Sequence, residues 1–183
     1  MEKCLILDFD DTLIKTIDVH AEAWQMSLNK VLDINITKSE ILNDINYGMD
    51  VFLKKLQLSN EEIKQASKLK KINFDELLHK TKVNDFLLYV IENNIFEHTI
   101  IASNSSKENL YKLLNYHNID SDLFTMILTR DDVKNKKPNP NMGNIILKNF
   151  PQYNKKDFLI IGDSNVDELF AKKLNIKCII VNF

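Results

Sequence analysis

Five short apolar runs constrain this chain most: Cys4-Leu5-Ile6-Leu7, Thr99-Ile100-Ile101-Ala102, Thr125-Met126-Ile127-Leu128, Phe158-Leu159-Ile160-Ile161 and Cys178-Ile179-Ile180-Val181. None alternates apolar with polar residues, as a strand with one wet face would. Strands buried on both faces of a parallel sheet read this way. Helix-period segments lie between them at 85–93 (Phe86, Leu87, Val90, Ile91), 109–117 (Leu110, Leu113, Leu114), 142–150 (Ile145, Ile146, Phe150) and 168–175 (Leu169, Phe170, Leu174). Strands alternating with helices predict right-handed crossovers and a doubly wound, Rossmann-like α/β fold with a parallel five-stranded sheet. About ninety residues part the first two strands, far more than one crossover needs. Residues 15–83 carry helical patterns (Ala21, Trp24, Leu28, Leu32; Val51, Phe52, Leu56; Ile63, Ala66, Leu69) and little that reads as strand. The expected division is a core of 1–14 plus 84–183 and a small all-helical module inserted at 15–83.

Composition removes several function classes. With 24 basic and 26 acidic residues the net charge is -2, which gives no reason to expect nucleic acid as a partner. Only Gly48, Gly143 and Gly162 are present, so neither G-x-G-x-x-G nor G-x-x-x-x-G-K-[ST] can be assembled. Cys4 and Cys178 both sit in apolar runs, far from zinc spacing, and read as buried reduced thiols. No run is long and apolar enough for a membrane span, and Met1-Glu2-Lys3 leads straight into a strand without a signal-peptide pattern. A cytoplasmic protein is expected.

In an open parallel sheet the ligand site lies beyond the carboxyl ends of the strands. Asp8-Phe9-Asp10-Asp11-Thr12 follows the first run, Ser103-Asn104-Ser105-Ser106 the second, and Gly162-Asp163-Ser164-Asn165-Val166-Asp167 the fourth; Lys136-Lys137-Pro138 precedes the fourth. Asp8, Asp10 and Asp163 would concentrate negative charge on one rim, which is costly without a cation. All-oxygen ligands suit a hard ion such as Mg²⁺, which binds through one or two carboxylates, waters and a substrate phosphate. One aspartate can then act as a nucleophile, another as an acid and base, while a serine and a lysine hold phosphoryl oxygens.

On these four clusters, in this order, the chain resembles the haloacid dehalogenase superfamily, in particular its phosphoglycolate phosphatase and β-phosphoglucomutase-like group with a helical cap. Asp8-Phe9-Asp10-Asp11-Thr12 corresponds to D-x-D-x-T, Ser103 to the Ser/Thr after the second strand, Lys137-Pro138 to the lysine motif, and Gly162-Asp163 with Asp167 to G-D-x-x-x-D. The likeness covers nearly the whole chain, and by it residues 15–83 are the cap. It implies a Mg²⁺-dependent phosphatase acting on a small phosphomonoester (a sugar phosphate, nucleotide or phosphoglycolate-like compound) through a phospho-aspartate. Asp8 would be the nucleophile and Asp10 the acid/base, while Ser103 would bind phosphate and Lys137 stabilise charge. Asp8, Asp163 and the Asp10 carbonyl would hold Mg²⁺, with Asp167 a ligand through water or a partner of Lys137. Thr12, Asn104, Gly48 and His20 are further candidates for phosphate or substrate contact. The expected partner is a small phosphate ester; a monomer fits as well as an oligomer.

Plainer roles stand beside these. Asp8, Asp10 and Asp11 could form a turn and helix cap, and Asp11 falls where the family often has Gly. Ser103 could cap the helix beginning near Lys107, and Asp167 the helix after the fourth strand. Lys136 competes with Lys137, and His20 and Trp24 could simply pack along the first cap helix. Gly162 reads as a backbone requirement at a crowded strand end. Asn84-Asp85 stands where Pro-Gly often marks the return from the cap. The cap loop Tyr47-Gly48-Met49-Asp50 lacks the arginine with which β-phosphoglucomutase-like proteins grip a second phosphate. That weakens the alternative reading as a phosphomutase or phosphotransferase; a regulatory or binding protein with little turnover is the other alternative.

Overall fold

In the computed structural model, which describes residues 2–45 and 49–183, the chain divides into two compact units, Met1–Lys15 with Lys82–Phe183, and Thr16–Thr81.

In the first unit, β1 (Cys4–Leu7) leads to the two-residue strand β2 (Ile14–Lys15), where the chain departs for the second unit. There α1 (Ile17–Leu32), α2 (Lys38–Ile45), α3 (Met49–Lys55) and α4 (Asn60–Glu76) follow. The chain returns through β3 (Lys82–Val83) into α5 (Asp85–Glu92), β4 (His98–Ala102), α6 (Lys107–Tyr116), β5 (Met126–Leu128), α7 (Asn141–Asn149), β6 (Phe158–Gly162), α8 (Asn165–Leu174) and β7 (Lys177–Ile180). Five strands form one parallel sheet in the order β5-β4-β1-β6-β7. The five apolar runs are those five strands, and the fold is the expected doubly wound α/β one.

Burial explains the absence of alternation. Cys4 and Ile6 of β1 pack with Ile100, Ile160, Met142, Ile146, Phe170 and Leu174 under α7 and α8. Leu5 and Leu7 point the other way and are equally enclosed. On that side α5 and α6 bury Leu87, Ile91, Leu110, Leu113 and Leu114. Each such side chain contributes roughly 1.5–3 kcal/mol on burial, which favours apolar residues throughout the central strands β1, β4 and β6. The edge strand β7 departs from the expected burial on both faces: Lys177, Ile179 and Ile180 are exposed. Helix α7 approaches α8 so closely that a Cβ on Gly143 would stand 2.2 Å from a Leu174 methyl carbon.

Strands β2 and β3, unreadable as strands at two residues each, pair antiparallel with Ile14 opposite Val83 and Lys15 opposite Lys82. Asn84 replaces the familiar Pro-Gly usefully. Its Oδ1 caps α5 by accepting from the Leu87 N–H at 3.2 Å, and its main-chain N–H donates to the Leu13 carbonyl at 2.8 Å.

The second unit has a core of its own, built from Ala21, Leu28, Ile36, Ile41, Phe52, Leu53 and Ala66, with Trp24 packed against it. Ser59 and Glu62 close the start of α4 with a capping box. Among the described residues no helix is long and apolar enough to cross a membrane.

Candidate active site

Sheet order places the site. From β1 the core runs outward through β4 and β5 and then crosses back to β6 and β7, so the direction of winding reverses between β1 and β6. Asp8 and Asp163 follow those two strands directly. The Asp8 N–H donates to the Ile161 carbonyl at 2.9 Å and so extends the ladder one residue past β1.

Beyond Asp8 the chain turns tightly. The Phe9 carbonyl accepts N–H groups from Thr12, Leu13 and Ile14, at 3.4, 2.9 and 3.0 Å. Asp10 bridges to Ile14, and Asp11 takes φ 58°. Such a left-handed backbone suits Gly, and Asp is among the few other residues that adopt it readily, which accounts for Asp11 at a position where Gly is common. Thr12 is fully enclosed in this turn, its Oγ1 without a hydrogen-bond partner.

Lys137 ties the clusters together. Its Nζ donates to Asp8 Oδ1 at 2.7 Å and to Asp167 Oδ1 at 2.6 Å; its side chain is 2% exposed, that of Asp167 2% and that of Asp8 11%. Lys136 beside it is exposed. The other oxygen of Asp167, Oδ2, accepts from the Ser164 hydroxyl at 2.9 Å and closes the capping box of α8. The helix-capping role of Asp167 and its partnership with Lys137 therefore coexist. Ser103 is buried and its Oγ accepts from the Ser105 N–H at 2.9 Å, while the cap of α6 is Ser106.

One carboxylate oxygen from each of Asp8, Asp163 and Asp167 lies within 4.8 Å of the others. Three carboxylates facing a single ammonium leave two negative charges uncancelled, the charge of one divalent cation. Oxygen donors this close fit a hard ion. Burial pushes the Asp8 carboxyl up to about 8, with Asp167 and Asp163 pushing the same way and Lys137 pulling back. Burial likewise raises Asp163 to about 6, aided by Asp167 and Asp11. Burial alone would depress the Lys137 ammonium, but the Asp8 and Asp167 carboxylates outweigh it and hold its pKa above the ordinary value. Lys137 is thus the firmly charged member, and Asp8 carries the cost of an enclosed anion.

The sequence matches the haloacid dehalogenase-like hydrolase family over residues 5–181. The chain belongs to that family. Among the curated proteins, none is similar enough in sequence to count as a relative. Solved structures share the fold. A predicted phosphoglycolate phosphatase from Haemophilus somnus superimposes with a TM-score of 0.81 at 20% identity, over 99% of this chain and 84% of that one. CbbY from Rhodobacter sphaeroides, in complex with phosphate, gives 0.80 at 18% identity, over 100% and 87%. YfnB from Bacillus subtilis, a HAD-hydrolase structure bound to magnesium, gives 0.70 at 20%, over 97% and 85%.

In this hydrolase, then, Asp8, Asp163 and Asp167 cluster together, with Lys137 on two of them, Asp10 lies in the turn just after Asp8, and Ser103 follows β4. His20 belongs to the second unit, where its ring stacks on Phe74 at 4.4 Å and its Nδ1 lies 2.7 Å from Lys70 Nζ. Gly48 lies outside the described residues, as does Tyr47. Asn104, expected to touch phosphate, has both ends of its amide on the Lys137 main chain.

Gly162 has a specific steric reason that sequence alone left general. A Cβ there would stand 2.3 Å from the Asp167 carboxyl carbon and 2.6 Å from its Oδ2. Gly162→Ala should therefore push Asp167 off Lys137 and lower turnover by about a hundredfold, the scale expected for an ångström-sized misplacement. Steady-state kinetics of the variant beside its thermal melt checks this; near-normal turnover would mean that the Asp167–Lys137 contact is dispensable.

Proposed function

We propose that this hydrolase is a Mg²⁺-dependent phosphatase, cleaving a small phosphomonoester (a sugar phosphate, nucleotide or phosphoglycolate-like compound) through a phospho-aspartate on Asp8. The observation that carries the reading is the buried Lys137 held between Asp8 and Asp167 beside Asp163, a charged pocket at the switch between β1 and β6.

An Asp8 carboxylate oxygen attacks phosphorus as the bond to the leaving oxygen breaks. Asp10 protonates that oxygen, then takes a proton from the water that attacks the phospho-aspartate, freeing phosphate and regenerating Asp8. Lys137 balances charge on the phosphoryl oxygens. The Ser103 oxygen already accepts from the Ser105 N–H, so its own proton can donate to the phosphoryl group. Asp8 and Asp163, with the Asp10 carbonyl, would hold Mg²⁺, and Asp167 would act through Lys137. When bound, the ion screens the Asp8 carboxylate from the phosphate dianion it must attack. The enclosed Thr12 hydroxyl leaves hydrogen-bonding capacity unmet beside this segment. The magnesium bound to YfnB and the phosphate in complex with CbbY are consistent with this chemistry.

A panel of phosphomonoesters, with p-nitrophenyl phosphate as generic control, tests the reading. Phosphate release is expected with Mg²⁺ and should fall to background with chelator, returning on re-addition of the ion. Turnover undiminished by chelator, or silence across the panel from a folded protein, would overturn it.

A further inference from the structure

We propose that Asn104 is a positioning residue that fixes the Lys137 backbone and, through it, the ammonium at Asp8. Its Oδ1 accepts from the Lys137 N–H at 2.9 Å, and its Nδ2 donates to the Lys137 carbonyl at 3.0 Å. The amide thus pairs with a single residue as a second strand would, through both main-chain groups at once. Asn is suited to this because one short side chain carries a donor and an acceptor side by side.

The Lys137 segment needs such a clamp. It lies in the connection between β5 and α7, outside any ladder, and borders an open cleft of about 700 Å³ whose lining includes Arg130, Asp131, Lys134, Lys136 and Lys173. Lys134, Asn135 and Lys136 are exposed, and the like charges of the two lysines favour an expanded loop. The Lys137 ammonium must nevertheless hold two carboxylates at 2.7 and 2.6 Å.

Position in the chain gives the clamp a second consequence. Asn104 directly follows Ser103, whose N–H is bound to the Leu128 carbonyl at 2.9 Å. The serine proposed to hold phosphate and the lysine proposed to balance its charge are therefore held by adjacent residues of one rigid strand end. Both of Asn104's polar ends being engaged, its part is to aim Lys137.

The inference rests on Lys137 serving the phosphate chemistry proposed above, so its test has one readout independent of turnover. In Asn104→Ala the Lys137 amide loses its acceptor, and its hydrogen exchange, followed by NMR, should speed up by at least about tenfold. On p-nitrophenyl phosphate, kcat should fall by about ten- to a hundredfold. In a Lys137→Met background the same substitution should cost almost nothing further, because residues acting through one another are not additive. Equal losses in both backgrounds would overturn the proposal in favour of direct phosphate contact. Unchanged exchange in the single variant would overturn it outright. Faster exchange in Asn104→Ala, together with a wild-type protein that hydrolyses no phosphomonoester, would leave the clamp standing and defeat the phosphatase reading alone.

Discussion

Asp8→Asn should abolish turnover, by at least about a thousandfold, in a protein as stable as the wild type or more so. The amide keeps the volume and can still accept from Lys137 Nζ, but it cannot attack phosphorus. Stability has a separate origin. An unfolded aspartate gives up its proton near pH 4, whereas in the fold burial holds the Asp8 proton to about 8. Between those values the folded chain binds more protons than the unfolded one, so in chelator its stability should fall as pH rises across that window. Asp8→Asn removes this contribution, and its stability should fall less. Thermal melts from pH 4 to 8 in chelator, wild type beside variant, check the sign. Full activity in the variant would overturn the mechanism, and identical pH slopes would mean that Asp8 is solvated well enough to ionise normally.

Lys137→Met should be the more damaging change to the fold. It leaves Asp8 and Asp167 adjacent and enclosed without their shared cation. Removing one partner from a buried charged cluster costs about 3–5 kcal/mol, because the Asp167 carboxylate stays buried without its cation. Urea unfolding in chelator should show that loss, and turnover should fall by about a hundred- to a thousandfold. Added Mg²⁺ should raise the midpoint of the variant more than that of the wild type, since a cation that binds only the folded state stabilises it. A variant as stable as wild type in chelator would mean that the two carboxylates share a proton at little cost.

The parts of this molecule that were legible in its sequence are those whose physical cause is local. Unbroken apolar runs announce strands, and β1, β4, β5, β6 and β7 fall within a residue or two of them; full enclosure holds for the central strands, whereas β7 is an exposed edge that the same kind of run did not distinguish. The acidic clusters were visible because the residue after a strand end must lie on the rim. What escaped depends on contacts across the chain. Strands of two residues, β2 and β3, carry no periodicity and exist through pairing with each other. The amide of Asn104 could as well have faced a ligand until its two bonds to Lys137, 33 residues away, were seen. Gly162 was readable as a constraint, but the atom it makes room for, the Asp167 carboxyl, became clear only in three dimensions. Asp167 shows why short alternatives stay open at the sequence level: with two oxygens, one carboxylate both caps a helix and grips a lysine.

The pairing of β2 with β3 bears on how such a chain is assembled and altered. Both crossings into the helical unit occur at neighbouring residues, Lys15 opposite Lys82. Opposed Cα atoms in an antiparallel pair are only about 5 Å apart, a gap that a two-residue hairpin turn spans. Everything between them therefore behaves as a cassette plugged into a fixed socket. A lineage can lengthen, shorten or exchange that cassette without moving a residue of β1 or the carboxylates beyond it.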